Sequence, residues 1–99
     1  VERGGCVYIL TNKTHRSLYT GVTSDLYTRI YQHRNKTYPN SFTARYNIYI
    51  LVYFEQFHSI EEAIAREKQI KAGSRKKKLN LIHNLNPNWN DLFDEVSQW

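Results

Sequence analysis

CVYIL at residues 6–10 decides how this chain reads. All five positions are apolar or aromatic, the pattern of a strand covered on both faces rather than one that alternates between core and solvent. After the polar stretch NKTHRS, LYTGVT at 18–23 returns as the second arm of a hairpin. Each arm holds a tyrosine, Tyr8 and Tyr19. A buried hydroxyl needs a hydrogen-bond partner, so a core would take Phe or Val at these positions at lower cost. A register that pairs positions whose numbers sum to 27 sets the two phenols opposite each other on one face, whereas a one-residue slip separates them. Gly21, two positions after Tyr19, leaves a gap beside the phenol of the kind that admits a ligand or another backbone.

The remaining elements follow outward from this hairpin. Thr23 or Ser24 caps a helix running to about Lys36, with Asp25 favourable in its first turn. TYPNS breaks the chain, and the β-branched and aromatic run from Ile48 to Phe57 is a third strand. Ser59 and Glu62 form a capping box for a helix that Gly73 ends. Ser74 caps a further helix to about Leu85, NPNWN is a turn, and Asn90 opens a short last helix with Leu92, Phe93 and Val96. The order β-β-α-β-α-α-α predicts an α+β fold, a small, mostly antiparallel three-stranded sheet flanked by helices, with residues 1–99 forming one domain.

Composition narrows the class. Hydrophobic residues make up 40% of the chain, enough for a packed core in 99 residues. The lone Cys6 rules out an internal disulfide and a cysteine-rich zinc site, and its apolar strand suits an inert core thiol. With no membrane-length apolar run and no signal-peptide pattern before the first strand, a cytoplasmic protein without membrane attachment is expected. The formal net charge is +5, and seven of the 14 lysines and arginines lie between Arg66 and Lys78, where Glu67 is the single acid. Clustered cations of this kind suit a polyanion, nucleic acid before an anionic membrane, while a solvated helix face is the plain alternative.

Several polar residues fall where apolar ones are expected. Ile60, Ala63, Ile64 and Ile70 make an apolar stripe, and Glu67 lies near its centre. A carboxylate there is costly unless it binds a metal or pairs, for instance with a buried arginine. On the preceding helix Leu26 and Ile30 face inward, and Arg29 and His33 share that side. Phenols, guanidinium, imidazole and carboxylate together suit phosphodiester hydrolysis: the carboxylate can hold a hard divalent ion, the arginine can stabilise phosphorane charge, and a phenol or imidazole can move a proton. Arg75, Lys76, Lys77 and Lys78 crowd a helix N-terminus, where the macrodipole disfavours cations unless phosphates dock there; Lys76 and Lys77 should project outward and Lys78 should lie along apolar surface.

With these residues in place the chain resembles the GIY-YIG nuclease family, in particular its small stand-alone bacterial members. CVYIL stands for the first motif and LYTG for the second; LYTRIYQH is similar to the family's arginine–histidine helix, EEAIAREKQIKAGSRKKK to its metal-binding helix, and NPNWNDL to the ending of the small members. The resemblance implies that Tyr8 and Tyr19 are the site phenols, one of them the general base. It implies that Gly21 leaves room beside the scissile phosphate, that Arg29 binds the phosphate and that His33 assists proton transfer. It makes Glu67 the single protein ligand of Mg²⁺ or Mn²⁺. Cys6 and Val7 replace the first motif's leading glycine and isoleucine, and Leu79 takes the spacing of a later asparagine, with Asn80 one residue off. The implied activity is a metal-dependent endonuclease acting on nucleic acid, DNA before RNA. It would act as a monomer with low sequence selectivity, with a place in DNA repair or recombination, its DNA contacts including Arg75, Lys76 and Lys77. The rival readings are a non-catalytic nucleic-acid-binding module that retains the fold and an interaction protein whose basic helices dock an acidic partner.

Overall fold

The computed structural model describes residues 4–98. Its elements are β1 (Gly5–Thr11), β2 (Leu18–Thr23), α1 (Leu26–Arg34), α2 (Phe42–Arg45), β3 (Ile50–Phe57), α3 (Ile60–Ala72), α4 (Arg75–Leu85) and α5 (Phe93–Val96). The sheet is antiparallel throughout, in the order β2-β1-β3. The architecture is the expected α+β one, with one added turn of helix, α2, inside the loop that follows α1. The central place of β1 explains its unbroken apolar sequence. Val7 and Ile9 enter one core with Ala63, Ile70 and Ile82 of α3 and α4, while Tyr8 and Leu10 enter the other with Leu26, Ile30 and Val96 of α1 and α5. Gly5 lets α3 come close, since a Cβ there would stand 2.7 Å from Ala63 Cβ and 3.0 Å from Ile60 Cα.

The hairpin register is corrected. Paired residues sum to 29, not 27, so Tyr8 faces Gly21 and Tyr19 faces Leu10. A two-residue shift keeps the face of every side chain, and the phenols become diagonal neighbours with ring centroids 6.4 Å apart. The cause lies in the turn. Asn12 Oδ1 accepts from the backbone N–H groups of Arg16 and Ser17 (3.1 and 3.4 Å), Thr11 Oγ1 donates to the Ser17 carbonyl (2.8 Å), and His15 takes a left-handed backbone (φ 59°). This wide loop starts the ladder at Thr11–Leu18.

Helix boundaries shift for equally local reasons. Asp25 caps α1, accepting from Thr28 N (3.2 Å) and Thr28 Oγ1 (2.8 Å), and Thr23 Oγ1 instead accepts from Asp25 N. A carboxylate satisfies the same orphan amides and also complements the helix dipole. The helix stops at Arg34, with Lys36 left-handed at φ 51°. Ser59 and Ser74 cap α3 and α4 as expected. Ile64 leaves the inward stripe and is 37% exposed, so α3 buries the narrower set Ala63, Glu67 and Ile70.

A bulge in β3 follows from its pairing with β1, where Ile9 faces Tyr53 but Leu10 faces Leu51. Val52 and Tyr53 therefore both reach the α3–α4 core. The backbone beside the bulge is satisfied by the C-terminal segment. Asn86 Nδ2 donates to the Val52 carbonyl (3.2 Å) and to the Asn90 carbonyl (2.8 Å), its Oδ1 accepts from Asn90 N (3.1 Å), and Leu92 N donates to the Leu51 carbonyl (2.8 Å). NPNWN is thus a turn wound on one buried amide, and α5 starts at Phe93 with Asp91 Oδ1 accepting its N–H, not at a cap on Asn90. Asn86→Ala removes three hydrogen bonds at once and leaves the buried Val52 carbonyl without this donor. It should destabilise the fold by roughly 1–3 kcal/mol, or somewhat more, read as a lower urea midpoint with an unchanged slope.

Candidate active site

The close approach of Tyr8 to Gly21 sets the site. A Cβ on Gly21 would run into Tyr8 Cζ and Oη and lie 2.9 Å from Cε2, so only glycine lets this ring lie across β2. The gap foreseen at Gly21 is filled by the protein's own phenol. Laid over in this way, Tyr8 Oη comes within 3.1 Å of His33 Nε2 on α1, and His33 Nδ1 is 2.9 Å from Thr43 Oγ1 on α2. Tyr19 packs edge-on against the same imidazole, 5.8 Å between centroids.

Burial fixes the charge states of this row. The Tyr8 phenol is pushed up to about 12, chiefly by burial, with Arg29 beside it pulling down and the charges of Tyr19 and Glu67 pushing further up. The His33 imidazole is pushed down to about 4 by burial and by the Arg29 cation. Both groups are neutral near pH 7, so one ring nitrogen donates and the other accepts; with the proton on Nδ1, Tyr8 Oη–H donates to Nε2 and Nδ1–H donates to Thr43. Ser41 Oγ lies 3.4 Å beyond Thr43 Oγ1, which extends the row. Arg29 lines the adjoining cleft with its Nη1 donating to Gln32 Oε1 (3.2 Å).

Glu67 enters from α3. It is 9% exposed, close enough for its charge to bear on Tyr8, and its Oε2 accepts from Lys71 Nζ at 2.8 Å. The partner is therefore a half-exposed lysine one helical turn on, not a buried arginine. This contact raises the Lys71 ammonium, and Tyr19 adds to the rise. A divalent ion would use the oxygen of Glu67 that Lys71 leaves open. The donor chemistry fits: one carboxylate suits a hard ion that keeps most of its water, and no cluster of three or more His, Cys, Asp or Glu occurs among the described residues.

Tyr19, Arg29, His33 and Glu67 thus all bear on Tyr8. Arg75, Lys76 and Lys77 are not among them. They lie at the first turn of α4, in the helix layer across the sheet, where Arg75 Nη2 donates to the His15 carbonyl of the hairpin turn (3.1 Å). Lys76 and Lys77 are exposed and Lys78 is half-buried, as their positions implied. Elsewhere in the basic cluster Arg66 is committed to Glu55 on β3 (3.0 Å). Two residues of the site escaped the sequence reading. Lys71 could have been found from its i,i+4 spacing to Glu67, but Thr43 sits on a single helical turn inside a loop and carries no such signal.

The family model of the GIY-YIG catalytic domain matches residues 4–80, and the chain belongs to that family. Among relatives, it is 42% identical over 76 residues to a UPF0213 protein of Staphylococcus haemolyticus, covering 77% of this chain and 90% of that one. It is 45% identical over 76 residues to a UPF0213 protein of Clostridium perfringens, 77% of this chain and 80% of the relative. The solution NMR structure of a UPF0213 protein from Bacillus halodurans superposes with a TM-score of 0.56 at 33% identity, covering 89% of this chain and 92% of that one.

His33 also ties site to stability. An unfolded histidine titrates near 6.5, whereas the folded one resists protonation until about 4. Between those values the unfolded chain binds a proton that the native state refuses. The contribution is thus complete above about pH 6.5 and is lost as pH falls toward 4. Urea unfolding at pH 7 and pH 5 should show a larger drop for wild type than for His33→Gln; equal drops would mean that the imidazole is not held neutral.

Proposed function

We propose that this protein is a metal-dependent endonuclease that hydrolyses phosphodiester bonds of nucleic acid, with DNA favoured over RNA and little sequence selectivity. The observation that supports it best is the neutral row Tyr8–His33–Thr43, set beside a cation on α1 and a carboxylate on α3. A free phenolate is unfavourable with Tyr8 near 12. The pair acts as one base instead: Tyr8 Oη takes a proton from the attacking water as its own proton passes to His33 Nε2, and Thr43 holds the imidazole in the accepting tautomer. The water oxygen bonds to phosphorus, the ester oxygen on the far side leaves, and Arg29 binds the non-bridging oxygens as their charge grows. Mg²⁺ or Mn²⁺ on Glu67 would supply charge neutralisation at the phosphate.

Residues 1–99 then work as one nuclease-like domain, a cytoplasmic monomer of the kind used in DNA repair or recombination, where backbone and shape choose the substrate. No helix among the described residues is long and apolar enough to cross a membrane. The Lys71–Glu67 contact favours a second reading, a non-catalytic nucleic-acid-binding module in which the carboxylate is simply neutralised.

Cleavage of labelled DNA and RNA with Mg²⁺ or Mn²⁺ separates the two. Wild type should cut, Glu67→Ala from the same preparation should not, and Tyr8→Phe should be slower by roughly 10²–10⁴-fold, the range of a general acid–base group. A Glu67→Ala protein as active as wild type sinks the metal assignment, and an inert wild type supports the module. Lys76→Ala/Lys77→Ala should bind every duplex more weakly, with a shallower dependence on salt, by about 0.9 in log–log slope for each phosphate no longer neutralised. Its cleavage at saturating substrate should persist.

A further inference from the structure

Beside His33 and Arg29 lies a cleft of ≈ 170 Å³ lined in part by α2 and the loop before it. Three Tyr or Phe rings line it, Tyr19, Tyr38 and Phe42, and the last two are 55% and 54% exposed. Neither belongs to the two hydrophobic clusters that hold the fold together. The Arg29 guanidinium stands 5.7 Å over the Tyr38 ring, which couples that ring to the cation assigned to the phosphate. Lys36 also lines it, its Nζ donating to Asn47 Oδ1 (2.6 Å), and so does Gln32. Arg29 occupies its Oε1, so its amide nitrogen is left to donate.

We propose that this cleft is a base-binding subsite: it takes one unpaired nucleobase next to the phosphate at Arg29 and His33, and so turns the site toward single-stranded nucleic acid. A path that followed phosphates alone would need only cations, whereas this one, beside Arg29 and Lys36, also presents two exposed rings, Tyr38 under the Arg29 cation and Phe42 beside Tyr46 (4.9 Å between centroids). Stacking on aromatic rings tolerates any base, because every base has a π-face. The Gln32 amide finds an acceptor on any base edge. A base held in a duplex has both faces covered by its neighbours and its pairing edge occupied, so only an unstacked one meets these groups. The location beside a scissile phosphate rests on the nuclease reading above.

The test separates the two ideas. Affinity is measured by fluorescence anisotropy, without metal, for a labelled oligothymidylate and for a labelled blunt-ended duplex of two complementary strands with the same number of phosphates. All proteins carry Glu67→Ala. Adding Tyr38→Ala/Phe42→Ala should weaken oligothymidylate binding at least about tenfold, in line with the stacking removed, and leave the duplex unchanged. A fluorescent aminopurine base in the oligothymidylate should be quenched by the parent protein and not by this variant. Tyr38→Phe/Phe42→Tyr keeps both rings and should bind like the parent. Unchanged single-strand affinity, or equal weakening on both ligands, overturns the proposal. Incubating the same oligothymidylate with Mg²⁺ and protein that retains Glu67 tests the nuclease reading separately. Ring-dependent binding without cleavage overturns that reading alone, and cleavage unaffected by removal of the rings overturns the base site alone.

Discussion

Tyr8 lies across Gly21 because the two residues are partners in the hairpin ladder, and much of the site is built on that contact. The phenol can reach His33 on α1 only by passing over a position with no side chain. Gly21 is thus an opening filled from within, and its absent Cβ is what delivers the hydroxyl. Register, ring position and hydrogen bond are fixed together. Because β1 is also held by β3, a one-residue slip of β2 would turn Tyr19 to the opposite face and take Gly21 from under the Tyr8 ring.

The site's chemistry follows from low polarity around few charges. Burial keeps Tyr8 protonated and His33 deprotonated, so the two can pass a proton without either holding charge at rest. Arg29 reinforces the neutrality of His33 and leans toward the cleft, where an anionic phosphate would restore the balance. Across from it, Glu67 is neutralised by Lys71. A metal ion on the oxygen that Lys71 leaves open would share the carboxylate with that ammonium, and the two cations would repel each other there.

Placement of α1, and hence of His33 and Arg29, depends on parts of the chain far away in sequence. Ile30 and Leu26 are clamped between the sheet and Val96 of α5, Tyr27 stacks on Phe93 (5.5 Å), and Arg34 pairs with Asp91 (2.6 Å). The same C-terminal segment satisfies the backbone at the β3 bulge through Asn86 and Leu92. One short tail therefore closes the sheet beside its bulge and braces the helix that carries the site.

The sequence by itself determined the elements and their faces. The apolar run at 6–10 called for a strand covered on both faces, the serines before α3 and α4 marked their starts, and period-3.6 patterning exposed Glu67, Arg29 and His33 as polar residues on inward faces. These are local rules of hydrogen bonding and burial, readable within a few residues. Only the tertiary structure decided the pairing sum of 29, because a six-residue loop wound on Asn12 competes with tighter turns at nearly equal local cost. Likewise Thr43 behind His33, Lys71 on Glu67 and the aromatic cleft under α2 depend on contacts between segments distant in the chain or on the rotamer chosen, which no periodicity encodes.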